Sequence, residues 1–104
     1  MQEIKRYADK AADKAAEYAE RLKGDYAFST EVDKTRYSDG HTSVWLRFSI
    51  STGIGVGYKF IYHDRQAVYS FNDKKKNKAT IDLMLTNLYA AVDRLSGKEE
   101  GGAA

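Results

Sequence analysis

The side chains able to do chemistry are few. His41 and His63 are the only histidines, and there is no cysteine. Composition therefore excludes disulfides, thiolate zinc sites, iron-sulfur clusters and cysteine nucleophiles. Two histidines need Asp or Glu to complete a metal site, and neither a His-x-x-x-His nor a His-Glu-x-x-His spacing occurs. Both fall in segments that read as solvated turns, Ser38-Asp39-Gly40-His41 and His63-Asp64-Arg65-Gln66. Ser38, Asp39 and His41 hold the atom types of a hydrolytic triad. Packed within one turn, they cap backbone groups instead of aligning for attack. The expectation is a protein with no catalytic residue, no metal ligand and no cofactor, and so no enzyme.

Charge is the second resource. Lys74, Lys75, Lys76 and Lys78 place four positive charges together with no acid between them, while the whole chain is only +2. The remainder is therefore 2 − 4 = −2. The sequence pI of 8.8 reports one local cluster and not a chain that is basic throughout. Four lysines just ahead of a helix sit at its partially positive end and suit nucleic-acid phosphates or an acidic protein surface. Such a loop also solubilises, and it guards a strand edge from pairing.

The elements that must position these groups follow from periodicity. Ile4, Tyr7, Ala8, Ala11, Ala15, Tyr18, Ala19 and Leu22 recur three or four apart, predicting an amphipathic helix from Gln2 to Lys23 with an alanine stripe and Gly24 as its stop. From Tyr26 the period becomes two. Tyr26, Phe28, Thr30 and Val32 form one strand; Val44, Leu46, Phe48 and Ile50 form the next, after the Asp39-Gly40 turn. Beyond the Thr52-Gly53 break a third strand is expected over Ile54–Tyr62 and a fourth over Ala67–Phe71. Gly55 and Gly57 in the third imply a bulge or curvature, since Gly-x-Gly without a following helix is no phosphate motif. Ile81, Met84, Leu85, Leu88, Val92 and Leu95 predict a second helix from about Ala79 to Leu95.

With 104 residues the chain has room for one core. The expected fold class is α+β: a four-stranded antiparallel meander with both helices on one face, a single domain over 1–97, and a disordered tail over 98–104. No apolar run reaches about 18 residues, so no membrane segment is expected and a cytoplasmic location follows by default.

The opposite sheet face is then left open. It is expected to carry Ser29, Glu31, Trp45, Arg47, Lys59 and Ile61. A Trp and an Ile on a polar face mark either a partner-binding surface or local packing by a long neighbouring side chain or an edge loop.

Lys75-Lys76-Asn77-Lys78-Ala79 is similar to the Lys-Lys-x-Ala-Lys segment of the double-stranded RNA-binding domain, and Gly40-His41 is similar to that family's Gly-Pro-x-His loop. The resemblance implies a helix, three strands and a helix, with the lysines across from the RNA backbone. It covers short pieces of the C-terminal two-thirds. The chain departs from it in the expected fourth strand, in a Leu and Met helix face, and in having no proline. The functional reading rests on the residues instead. Eight Tyr and one Trp suit large contact surfaces. The first expectation is a small binding protein with a protein partner, of the size and style of phage or mobile-element inhibitors such as anti-CRISPR proteins, using Trp45, Arg47, Lys59 and Ile61. The alternative is a nucleic-acid-binding module using Lys74, Lys75, Lys76 and Lys78, with Trp45 or Tyr58 for stacking.

Overall fold

The computed structural model describes residues 2–24, 26–53, 59–70 and 78–97. The element order is α1 (Gln2–Ala19), β1 (Tyr26–Arg36), β2 (Thr42–Thr52), β3 (Lys59–Ser70) and α2 (Lys78–Leu95). The three strands form one antiparallel sheet in the order β1-β2-β3. An α+β fold with two helices is what the periodicity predicts. The sheet has three strands among the described residues where four were expected.

The difference lies at His63-Asp64-Arg65-Gln66, read above as a turn. This segment runs straight through the middle of β3, with His63 opposite Ser49 and Gln66 opposite Leu46. It contains no Gly, Pro or Asn to force a reversal. β3 is also an edge strand, so its inner face tolerates polar residues that alternation would have forbidden in a central one. Gln66 Nε2 donates to Asp64 Oδ1 at 3.0 Å, satisfying both at that margin. The start of the expected third strand, Ile54 to Tyr58 with its two glycines, lies outside the described residues, as do Phe71 and the tail from Lys98.

The hairpin between β1 and β2 closes where expected. Gly40 takes φ +91°, its N–H donates to Tyr37 O at 2.9 Å, and the His41 N–H donates to Asp39 Oδ1 at 3.0 Å. The Asp39 carboxylate thus caps the turn, which is why Asp-Gly serves here. The helix α1 ends at Ala19, four residues before the expected Lys23. Past Ala19 the chain tightens into three-residue turns, with Arg21 and Leu22 N–H groups reaching Tyr18 and Ala19 carbonyls, and Leu22 still packs on the core.

Val44, Leu46, Phe48 and Ile50 of β2 are fully buried and meet Ala8, Ala11, Ala15 of α1 and Ile81, Met84, Leu88, Val92 of α2. Burying each large side chain contributes roughly 1.5–3 kcal/mol. The small alanine stripe lets α1 lie close to the sheet. The helices run parallel and side by side: Lys78 meets Glu3, Tyr7 Oη donates to Asp82 at 2.6 Å, and Tyr18 Oη donates to Asp93 at 2.6 Å, each pair 75 residues apart. Both helices cover one sheet face, and among the described residues no element covers the other.

Candidate interaction face

Pairing register lays the open face out as rows that cross all three strands. In order they are Ala27-Ser51-Phe60, Ser29-Ser49-His63, Glu31-Arg47-Arg65, Asp33-Trp45-Ala67 and Thr35-Ser43-Ser70. The alternation of β2 puts its apolar residues inward and these outward, so the strand that fills the core also builds this surface.

A polar network ties the rows together. Arg47 Nη1 donates to Ser29 Oγ at 3.0 Å and to Ser49 Oγ at 2.9 Å. Ser49 Oγ and His63 Nδ1 share a hydrogen bond of 2.9 Å. The bonds thus link β1, β2 and β3 through one guanidinium and one hydroxyl. Ser49 is only 1% exposed, on a face that no helix among the described residues covers, and it is hydrogen-bonded to both Arg47 and His63. That burial keeps Ser49 from acting as a nucleophile despite its histidine neighbour, since an attacking oxygen must reach substrate. Among the described residues no group of three His, Cys, Asp or Glu side chains is placed to hold a metal.

Trp45 is half-buried, and the Arg65 guanidinium lies 4.3 Å from its ring centroid. The long neighbouring side chain that a tryptophan here requires is therefore Arg65, stacked in a cation–π contact. The more exposed aromatic is Phe60, 51% exposed and 5.4 Å from the His63 ring.

Of the face residues expected from sequence, Ser29, Glu31, Trp45 and Arg47 are on it. Lys59 and Ile61 are displaced. A bulge between Ile50 and Ser51 leaves Ile61 as the extra residue of β3, so Phe60 faces Ser51 outward while Lys59 pairs with Thr52 on the helix-side phase. Ile61 remains 38% exposed at the bulge. Three causes hid the rest: the turn read at His63 concealed His63 and Arg65, the bulge at Ile61 concealed Phe60, and the contact of Ser49 with His63 depends on the β2–β3 register.

The basic candidates separate. Lys74, Lys75 and Lys76 lie outside the described residues. Lys78 opens α2, where its Nζ is 2.7 Å from Glu3 Oε1 and 5.4 Å from the Tyr7 ring centroid. That bond raises the Lys78 pKa and lowers that of Glu3. Arg6, Tyr7 and Lys10 join them around a hollow of about 180 Å³. The hydroxyls of Tyr7 and Tyr18 titrate above the ordinary tyrosine value because each donates to a carboxylate, Asp82 and Asp93 respectively.

A cleft of about 500 Å³ lies beside α1 and α2, lined by Lys14, Glu17, Tyr18, Glu20, Arg21 and Tyr89. Three of these side chains are engaged with one another: Tyr18 and Tyr89 stack at 4.2 Å, and Arg21 lies 4.0 Å from the Tyr18 ring. No helix among the described residues is long and apolar enough to cross a membrane. The chain matches no protein-family model, no curated protein and no solved structure.

Proposed function

We propose that this protein is a non-enzymatic binding module whose outer sheet face docks a protein partner. The observation that carries the reading is the asymmetry of the sheet. Both helices are spent on the inner face, and the outer one presents an ordered set of Arg47, Arg65, Trp45, His63 and Phe60 that no helix among the described residues covers. Arginine and aromatic side chains are those most enriched at the energetic centres of protein interfaces. Their order matters as well. Side chains already held by hydrogen bonds and stacking lose less freedom when a partner arrives. Inhibition of a host system by a phage or mobile-element product is one setting in which a small, cofactor-free docking domain of this kind acts, and it fits the size of the chain.

A second reading places the site at the start of the helices. Arg6, Lys10 and Lys78 converge on one hollow there, next in sequence to three further lysines, and the three-strand order removes one departure from the double-stranded RNA-binding arrangement. Phosphate contacts at that end would give binding that collapses between low and moderate salt.

Affinity capture from source-cell lysate, with and without nuclease, tests the two. The docking reading expects a partner that survives nuclease and is lost in Trp45→Ala, while the variant with Gln at 74, 75, 76 and 78 still binds. A partner lost on nuclease treatment and in the Gln variant, but kept by Trp45→Ala, transfers the function to nucleic acid.

A further inference from the structure

We infer that the outer face takes a protein segment bearing carboxylates, held between Arg47 and Arg65; this rests on the reading of that face as the docking surface. The two arginines are directly opposite one another on β2 and β3. Like charges at opposed positions destabilise a sheet. Neither is relieved by a carboxylate: among the described residues neither makes an ion pair, although Glu31 faces Arg47 from β1. Neutral neighbours hold them instead, two serine hydroxyls for Arg47 and the Trp45 ring for Arg65. Each guanidinium has five N–H donors in a planar fork, and these contacts engage only part of that set. An arriving carboxylate finds the remaining donors already oriented, and its charge removes the repulsion between them. His63 stands one row away on the same side, anchored through Nδ1.

The same face decides which anion. Glu31 and Asp33 line β1, one strand spacing of about 4.8 Å from the strand of Arg47 and two from that of Arg65. A continuous polyphosphate laid across Arg47 and Arg65 brings its neighbouring charges against those two carboxylates. A polypeptide avoids this, because it sets acidic residues over the arginines and hydroxyl or basic residues over Glu31 and Asp33. Phe60 and Trp45 flank the arginine row two rows and one row away and add apolar contact. The mosaic of charge favours an acidic peptide over a nucleic acid.

The test uses the full chain, isotope-labelled for nuclear magnetic resonance, and three probes: a decapeptide alternating Glu and Thr, the same peptide with Gln for Glu, and a thymidine oligonucleotide of similar length. The Glu peptide should bind at least about tenfold more tightly than the Gln peptide, roughly 1.4 kcal/mol. It should shift the Nε–H resonances of Arg47 and Arg65, and the oligonucleotide should not displace it. Arg65→Gln, and R47Q/R65Q where circular dichroism shows it folded, should lose the preference. Equal binding of the two peptides, or a preference that survives both variants, overturns the arginine clamp while leaving the docking face standing if Trp45 and Phe60 respond. No response at Trp45 or Phe60 to either peptide removes the docking reading as well. Displacement by the oligonucleotide overturns the carboxylate assignment and gives the face to phosphate.

Discussion

One strand builds two surfaces of opposite kind. On the inner side of β2, Val44, Leu46, Phe48 and Ile50 are all fully buried beneath α1 and α2. Its outer side presents Ser43, Trp45, Arg47, Ser49 and Ser51, of which Arg47 and Ser49 join a network of hydroxyl, guanidinium and imidazole contacts that no helix among the described residues covers. The inner surface is held by burial of apolar area, which is non-directional and large. The outer one is held by directed bonds that contribute little each to stability but fix where donors point. On the proposed reading, folding and recognition use opposite sides of the same eleven residues. They should be separable by mutation.

The largest effects are expected on the inner side. Phe48→Ala should cost about 3–5 kcal/mol and Leu88→Ala about 2–5 kcal/mol in chemical denaturation, since each leaves a cavity in a closed core. Against a total of roughly 5–15 kcal/mol for a domain of this size, either is severe. A loss below about 1 kcal/mol for Leu88→Ala would mean that α2 is not docked as described.

On the outer side Arg47→Ala should cost about 0.5–1.5 kcal/mol, because two hydrogen bonds from a solvent-accessible guanidinium to serine hydroxyls are lost while Ser49 keeps its bond to His63. A cost equal to that of Phe48→Ala would break the comparison, making the outer network part of the fold. Trp45→Ala should leave the denaturation midpoint close to that of the parent chain and lower partner affinity by about 2 kcal/mol.

How much of this contrast could be read in advance depended on how much each element had to bury. The helices and the β1–β2 hairpin were legible, because Leu85, Leu88 and the β2 alternation face a closed core and must be apolar. β3 was not, because an edge strand under the margin of two helices places Asp64 and Gln66 inward as readily as a turn would. Its two bulges, at Val68 and Ile61, then shift the phase. Unbroken alternation along the expected strand Ile54–Tyr62 put Lys59 and Ile61 outward, where the bulge puts Phe60. Trp45 and Arg47 were found because they sit in β2, whose inward pattern is unambiguous. Arg65, Ser49 and His63 needed the cross-strand register, and no local pattern encodes that.

The smallest effect concerns pH. Tyr7 and Tyr18 are held protonated by Asp82 and Asp93, so their folded pKa values lie above 10.0. In the unfolded chain they lose protons first, near 10. Their contribution is therefore whole below that value and is lost as pH rises through the folded values. The variant Y7F/Y18F should show a shallower fall in stability above about pH 10, and the same stability slope as the parent chain at neutral pH. An unchanged alkaline slope would deny that these bonds persist in solution.

Two exposed hydrophobic side chains on opposite sides of the molecule allow the most direct test of the central claim. Phe60 is 51% exposed on the outer sheet face, and Leu83 is 58% exposed on α2. Either can be changed to Asp without opening the core. In quantitative capture from source-cell lysate, Phe60→Asp should lose the partners held by the parent chain, while Leu83→Asp should retain them with both variants folded. Loss in Leu83→Asp with retention in Phe60→Asp would contradict the account and move the interaction to the helix side.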